Sequence, residues 1–142
     1  MTIYADSSFF VSLHIIDRHS TEVWRRMSER PVLLLTPLHR AEFASAAFLH
    51  VFWKKATALE AEKAIAAFDQ DIAAGLFEIS DLSKHTFERC IDLARRFGPT
   101  LGVRTLDSLH VATALELRAE KFWTFDDRQA RLAEAVGLDT ST

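Results

Sequence analysis

Four short apolar runs set the main constraint on this chain: Ile3-Tyr4-Ala5, Val32 to Leu35, Leu76 to Ile79, and Lys121 to Thr124. Each is too short for a helix; the first two are continuously apolar, the pattern of a strand buried on both faces, and the last two are mixed, with Glu78, Lys121 and Thr124 among them. Much longer stretches with helical spacing separate them. A strand that shows no polar face needs helices above and below it. Strand, helices, strand, helices, strand, helices, strand, helix therefore predicts a mostly parallel sheet covered on both sides. The strand order within that sheet is not readable from the pattern.

The helical stretches carry their own punctuation. Ser7 and Ser8 turn the chain from the first strand into a short helix with Phe9, Phe10, Val11 and Leu13. Ser20 is expected to cap a helix carrying Val23, Trp24 and Met27, which Pro31 closes. Pro37 suits the first turn of the helix that carries Glu42. Residues 56–74 read as a long amphipathic helix ended by Gly75. Ser83 is expected to open a helix that Gly98-Pro99 breaks near Phe97, leaving Thr100 to Arg104 as a loop. Thr105 is expected to cap Leu106 to Leu117, with Asp107 in its first turn. Asp127 starts a last helix through Ala135. No linker or repeat divides the chain, so residues 1–142 are expected to form one domain.

The bulk composition removes several classes of protein. With 49% hydrophobic residues, 11 Phe and 3 Trp, the chain is too apolar for disorder and large enough to bury a core. Cys90 is the only cysteine, so an internal disulfide is excluded, and its helical surroundings suit a small buried hydrophobe. No apolar stretch reaches membrane-spanning length and the opening MTIYADSSFF has no signal-peptide character, which points to a cytoplasmic protein. The net charge of -3 argues against a broad basic sheath for nucleic acid, though local fields matter more than the sum.

Four acids fall where such a fold concentrates function. Asp6 and Asp126 each follow a short apolar run, and Glu42 and Asp107 each lie in the early turns of a helix. In a parallel sheet, strand ends and the following helix starts share one edge, and ligands bind there. Carboxylates gathered at that edge repel one another when empty. An oxygen-rich cluster of this kind suits Mg²⁺, with Mn²⁺ as a substitute, and such an ion orients phosphate and activates water. Competing roles exist for each acid: Asp6 and Asp126 as turn residues, Glu42 and Asp107 as helix-start charges.

These segments resemble the PIN-domain family, and within it the VapC-like toxin ribonucleases of type II toxin-antitoxin pairs. IYADSSFFVSL is similar to the family's opening strand with its first acid, Asp6, and LLTPLHRAEFASA to the second strand and the helix bearing Glu42. TLDSLHVATAL is the most specific stretch and supplies Asp107; KFWTFDDRQARLAEAVGL resembles the last strand and acidic loop, with Asp126 favoured over Asp127. The resemblance implies an α/β fold, a three-layer α/β/α sandwich around a mostly parallel sheet of four or five strands. It implies an Mg²⁺-dependent endoribonuclease whose products carry a 3′ hydroxyl and a 5′ phosphate. Asp6, Glu42 and Asp107 would hold the ion, with Asp126 completing the site. The implied partners are an RNA substrate, a cognate antitoxin and a second copy of the chain, in a homodimer and a toxin-antitoxin hetero-oligomer.

Further residues carry softer expectations. Ser8, Ser108 and Thr124 bear hydroxyls near these acids. His110 follows Asp107 by three residues, on nearly the same helical face, and is expected to be structural or partner-facing rather than a proton donor to phosphate. His14, His19, His39, His50 and His85 lack zinc-ligand spacing. Arg104, Arg128 and Arg131 lie near the acids; Arg104 or Arg128 is the candidate for phosphate contact, and solvated-surface or salt-bridge roles suit each of them more often. Phe43, Phe48, Phe52 and Trp53 suit either core packing or a dimer or antitoxin surface. Two competing functions remain open from sequence: a non-catalytic RNA- or protein-binding module of the same fold, and a metal-dependent phosphatase. A nucleotide hydrolase of the Walker type is disfavoured, because the glycine loop is absent.

Overall fold

The four apolar runs form the four strands of one parallel sheet. The computed structural model describes residues 1–142. Its elements are β1 (Thr2–Ala5), α1 (Ser7–His14), α2 (Ser20–Met27), β2 (Val32–Leu35), α3 (Pro37–Phe52), α4 (Ala58–Ala73), β3 (Phe77–Ile79), α5 (Lys84–Leu101), α6 (Thr105–Glu116), β4 (Lys121–Trp123) and α7 (Asp127–Ala135). The strand order is β3-β2-β1-β4, every neighbouring pair is parallel, and Tyr4 sits opposite both Leu34 and Phe122.

Alternation along the strands makes two cores. Successive strand side chains point to opposite faces. Ile3, Ala5, Leu33 and Leu35 join Phe9, Phe10, Val23, Phe43 and Phe68, from α1 to α4, on one face. Tyr4, Leu34 and Phe122 join Leu93, Leu109, Val111 and Leu132, from α5 to α7, on the other. The result is a three-layer α/β/α sandwich. It explains why the two central strands, β1 and β2, show no polar face.

The topology also locates the functional edge. The chain moves outward from β1 to β2 to β3 with its helices on one face. It then crosses by α5 and α6 on the other face to place β4 against the far side of β1. The strand order reverses between β1 and β4. In open parallel sheets the crevice at that reversal, outside the carboxyl ends, is where ligands bind. Asp6 follows β1 there, and its N–H bonds the Trp123 carbonyl at the end of β4 at 3.0 Å. The C-terminal tail runs beside the outer edge of β4 through one parallel bridge, Lys121 to Asp139, which marks where a fifth strand would lie.

Three boundaries differ from the sequence expectation. Gly98-Pro99 does not break α5, which continues to Leu101 and stops at Gly102, whose φ is +61°. Phe97, Leu101 and Val103 pack against the second core and carry the helix through the proline. Ser20 is the first residue of α2, with His19 at its cap position. Its hydroxyl donates to the Ser12 carbonyl at 2.7 Å and accepts the Asp17 N–H at 2.9 Å, tying the α1–α2 turn instead. Thr105 likewise begins α6, and Arg104 holds the cap position. Cys90 is buried in the second core. No helix is long and apolar enough to cross a membrane.

Candidate active site

Asp6 and Glu42 come together at the sheet reversal. Asp6 directly follows β1 and is the N-cap residue of α1, so its backbone is fixed on both sides. Ser8 donates to its Oδ1 at 2.5 Å and Thr124, just past β4, donates to its Oδ2 at 2.9 Å. Burial pushes the Asp6 carboxyl above its usual range; the Ser8 and Thr124 hydroxyls and the charge of His110 offset part of this, and the negative charge of Glu42 adds to it. No Lys or Arg pairs with it. The carboxylate is thus desolvated, near a second acid, and short of positive charge.

Glu42 projects from α3, whose start is fixed by a capping box in which Thr36 and His39 are reciprocal partners. The Thr36 N–H donates to His39 Nδ1 at 3.0 Å, so the hydrogen of the neutral ring lies on Nε2, which donates to the Ala5 carbonyl at 2.7 Å. Burial lowers the His39 pKa to about 3, which keeps the ring neutral. One side chain therefore ties the beginning of α3 to the last residue of β1, immediately before Asp6.

The Glu42 carboxylate accepts two bonds on one oxygen. Ser7 Oγ donates to Oε1 at 2.7 Å, and His110 Nε2 lies 2.5 Å from the same atom. Burial raises the Glu42 pKa, but the His110 hydrogen bond and charge and the Ser7 hydroxyl outweigh it, and the net displacement is downward. On its other side, His110 Nδ1 lies 2.7 Å from the Tyr4 hydroxyl. Tyr4 is wholly buried under the site, and burial holds its hydroxyl well above its ordinary pKa, in the neutral form.

Asp107 and Asp126 stand beside this pair rather than in contact with it. Asp107 lies in the first turn of α6, one turn before His110, and its carboxylate is 3.7 Å from Arg104 Nε. Asp126 is the N-cap of α7: its Oδ1 accepts the Gln129 N–H at 2.9 Å, so Asp126 and not Asp127 does the capping. Bonds through intermediates connect Asp6, Asp126 and Asp107. The Thr124 hydroxyl that donates to Asp6 accepts the Asp126 N–H at 3.0 Å. Buried Gln129, besides its backbone bond to Asp126, donates its amide to the Asp107 carbonyl at 3.5 Å. No three His, Cys, Asp or Glu side chains converge tightly enough to hold an ion as they stand. The donor chemistry nevertheless fits a hard divalent cation: carboxylates and hydroxyls, no thiol, and an uncompensated buried charge at Asp6.

Several participants escaped the sequence reading. Ser7 was read only as a turn residue, Tyr4 only as part of the first strand, and His39 only as a histidine without zinc-ligand spacing. The available signal was periodicity: Tyr4 in β1 and Asp6 just past its end are two apart on extended backbone and so share a face. His110 is buried, and its direct partner is a site acid. Arg104, Arg128, Arg131, Asp126 and Asp127 line an open polar cleft next to Asp107. Of the aromatic set, Phe43 is buried in the core, while Phe48, Phe52 and Trp53 are exposed on the end of α3.

A parallel three-layer sandwich with acids at its strand-reversal edge defines a class, and comparison with known proteins identifies it. Residues 3–135 match the PIN domain, and the chain belongs to that family. Its fold is shared with VapC20 of Mycobacterium tuberculosis, a toxin that cleaves the sarcin-ricin loop (TM-score 0.71, 15% identity, 98% of each chain covered). It is also shared with FitAcB of Neisseria gonorrhoeae (TM-score 0.70, 16% identity, 99% of this chain and 96% of that one). A third similar structure is VapBC2 of Rickettsia felis, bound to a DNA fragment from its promoter (TM-score 0.68, 16% identity, 99% and 98%). No curated protein matches the chain by sequence.

Proposed function

We propose that this PIN-domain protein is an Mg²⁺-dependent endoribonuclease toxin, neutralised by a cognate antitoxin. The observation that carries the reading is the pairing of a desolvated Asp6 with Glu42 at the strand-reversal edge. Asp6, Glu42 and Asp107 would hold Mg²⁺, or Mn²⁺ in its place, and Asp126 would complete the site directly or through water. When bound, the ion supplies activation of water and stabilisation of charge on a phosphate. The chain's own residues do the rest. Ser8 and Thr124 orient Asp6; Ser7 and His110 orient Glu42. Arg104, Arg128 and Arg131 border the acids in a cleft open to solvent and would position a backbone phosphate without reading its base.

The partners follow from the same reading. A toxin-antitoxin complex from Klebsiella pneumoniae has a similar fold (TM-score 0.57, 15% identity, 87% of this chain and 86% of that one), which supports an antitoxin partner here; a second copy of the chain completes the proposed assembly. The exposed Phe48, Phe52 and Trp53 supply apolar surface for such contacts.

The test is cleavage of total cellular RNA by purified protein, with new 5′ ends mapped across the pool. Discrete 5′-phosphate ends should form with Mg²⁺ or Mn²⁺ and vanish with chelator. They should also vanish for Asp6→Asn and Asp107→Asn proteins that remain folded. The same ends from a folded Asp6→Asn protein would overturn the assignment.

A further inference from the structure

Glu42 is held in a way that neither the fold nor the acid set requires. We propose that Tyr4 and His110 form a buried positioning relay that commits Glu42 Oε1 to the protein and reserves Oε2 for a divalent cation. The proposal rests on the metal-site reading above.

The relay joins three elements. Tyr4 comes from β1, His110 from α6 and Glu42 from α3. Tyr4 is 0% and His110 3% exposed, so both sit in the rigid interior, whereas Glu42 is only half-buried. A free glutamate has three rotatable bonds and loses substantial entropy when an ion fixes it. A donor anchored in the core removes that freedom before any ion arrives. The His110 ring is itself held against Tyr4, with centroids 5.7 Å apart, and against His39, at 5.3 Å. It therefore has little room to turn away from Glu42.

Both donors to Glu42 choose the same oxygen. Ser7 and His110 bond Oε1, and no protein group bonds Oε2. An ionised carboxylate only accepts, so His110 Nε2 carries the hydrogen and Nδ1 is left to the Tyr4 hydroxyl. With both ring nitrogens engaged inside the protein, His110 is not placed to donate a proton to substrate. Asp107 lies one turn earlier on the same helix. The bond that fixes Glu42 thus also sets the separation of α3 from the helix bearing the third acid. Partners behind metal-ligating groups act in this manner and are worth about 10–100-fold in metal affinity.

The experiment combines a metal-free signature with a binding series. Long-range ¹H–¹⁵N NMR of the metal-free protein should show a slowly exchanging proton on His110 Nε2 that moves in Glu42→Gln. Mn²⁺ titration followed by electron paramagnetic resonance should show binding weakened about 10–100-fold in His110→Leu. His110→Gln, which keeps an N–H donor, should recover most of the loss, and Tyr4→Phe should show a smaller loss. Melting curves check folding; if His110→Leu does not fold, Tyr4→Phe and His110→Gln carry the comparison. A folded His110→Leu or Tyr4→Phe protein that binds Mn²⁺ as tightly as wild type, or more tightly, overturns the relay alone. A wild type that binds no Mn²⁺ overturns the metal site and the relay's role in it together.

Discussion

Replacing Asp6 with Asn should stabilise the metal-free protein while abolishing cleavage. Burial holds the Asp6 carboxyl above its usual pKa. The folded state then binds this proton more tightly than the unfolded chain does. Asp6 costs no stability below the unfolded carboxyl pKa of about 3.9. The cost grows as pH rises toward the folded value and is complete above it. Asn removes the charge with little change in shape. Its side-chain oxygen keeps the Ser8 bond. The Thr124 hydroxyl keeps the Asp126 N–H and offers its second lone pair to the Asn amide. Relief of a functional-site charge of this kind is worth about 0.5–2 kcal/mol, or roughly 2–6 °C in a domain of this size. Circular-dichroism melts in chelator should therefore place Asp6→Asn above wild type at pH 7.5, with the gap narrowing at pH 4.5. Saturating Mg²⁺ should reverse the order, because an ion at 100 times its Kd adds about 2.7 kcal/mol to the protein that binds it. A variant that melts below wild type at pH 7.5 in chelator, or a gap indifferent to pH, would refute the burial argument.

Two further perturbations separate structural from chemical roles. Asp126→Asn keeps an acceptor at the α7 cap, so it should melt within about 1 °C of wild type yet lose RNA cleavage. Asp126→Ala loses the cap as well, and urea unfolding should report a loss of about 0.5–2 kcal/mol; equal stability of the two variants would remove the capping role. His39 has a folded pKa of about 3 against an ordinary 6.5. Its contribution is present above pH 6.5 and is lost as pH falls, because the unfolded chain then binds the proton that the folded one refuses. Urea titrations should show His39 alone removing about 2 kcal/mol between pH 6.5 and 5, seen as the difference in slope between wild type and His39→Gln. Parallel slopes would count against a buried neutral imidazole.

Much of the architecture was legible because it rests on local chemistry. The continuously apolar runs Ile3 to Ala5 and Val32 to Leu35 demand cover on both sides, and the spacing of the four runs leaves room only for helical crossovers. The start of α7 at Asp127 and the glycine stop of α4 at Gly75 depend on one or two residues and were readable as such. Gly98-Pro99 misled because its local preference to break a helix was overruled by Phe97, Leu101 and Val103 packing on the second core. Ser20 and Thr105 misled in a milder way, since a hydroxyl before a helical run suits a cap or the first turn equally well.

The sequence by itself determined the layer type, the elements and the edge on which Asp6, Glu42, Asp107 and Asp126 lie. Those follow from periodicity and from strand-end position, which are properties of neighbours along the chain. The tertiary structure alone decided the β3-β2-β1-β4 order, and with it the crevice between β1 and β4. It also decided that Tyr4, 106 residues away from His110, reaches that ring, and that His110 in turn reaches Glu42 from 68 residues away. Hydrogen bonds of that range depend on how α3 and α6 pack about the sheet. That packing is a collective outcome of two cores and has no local signature in any one segment.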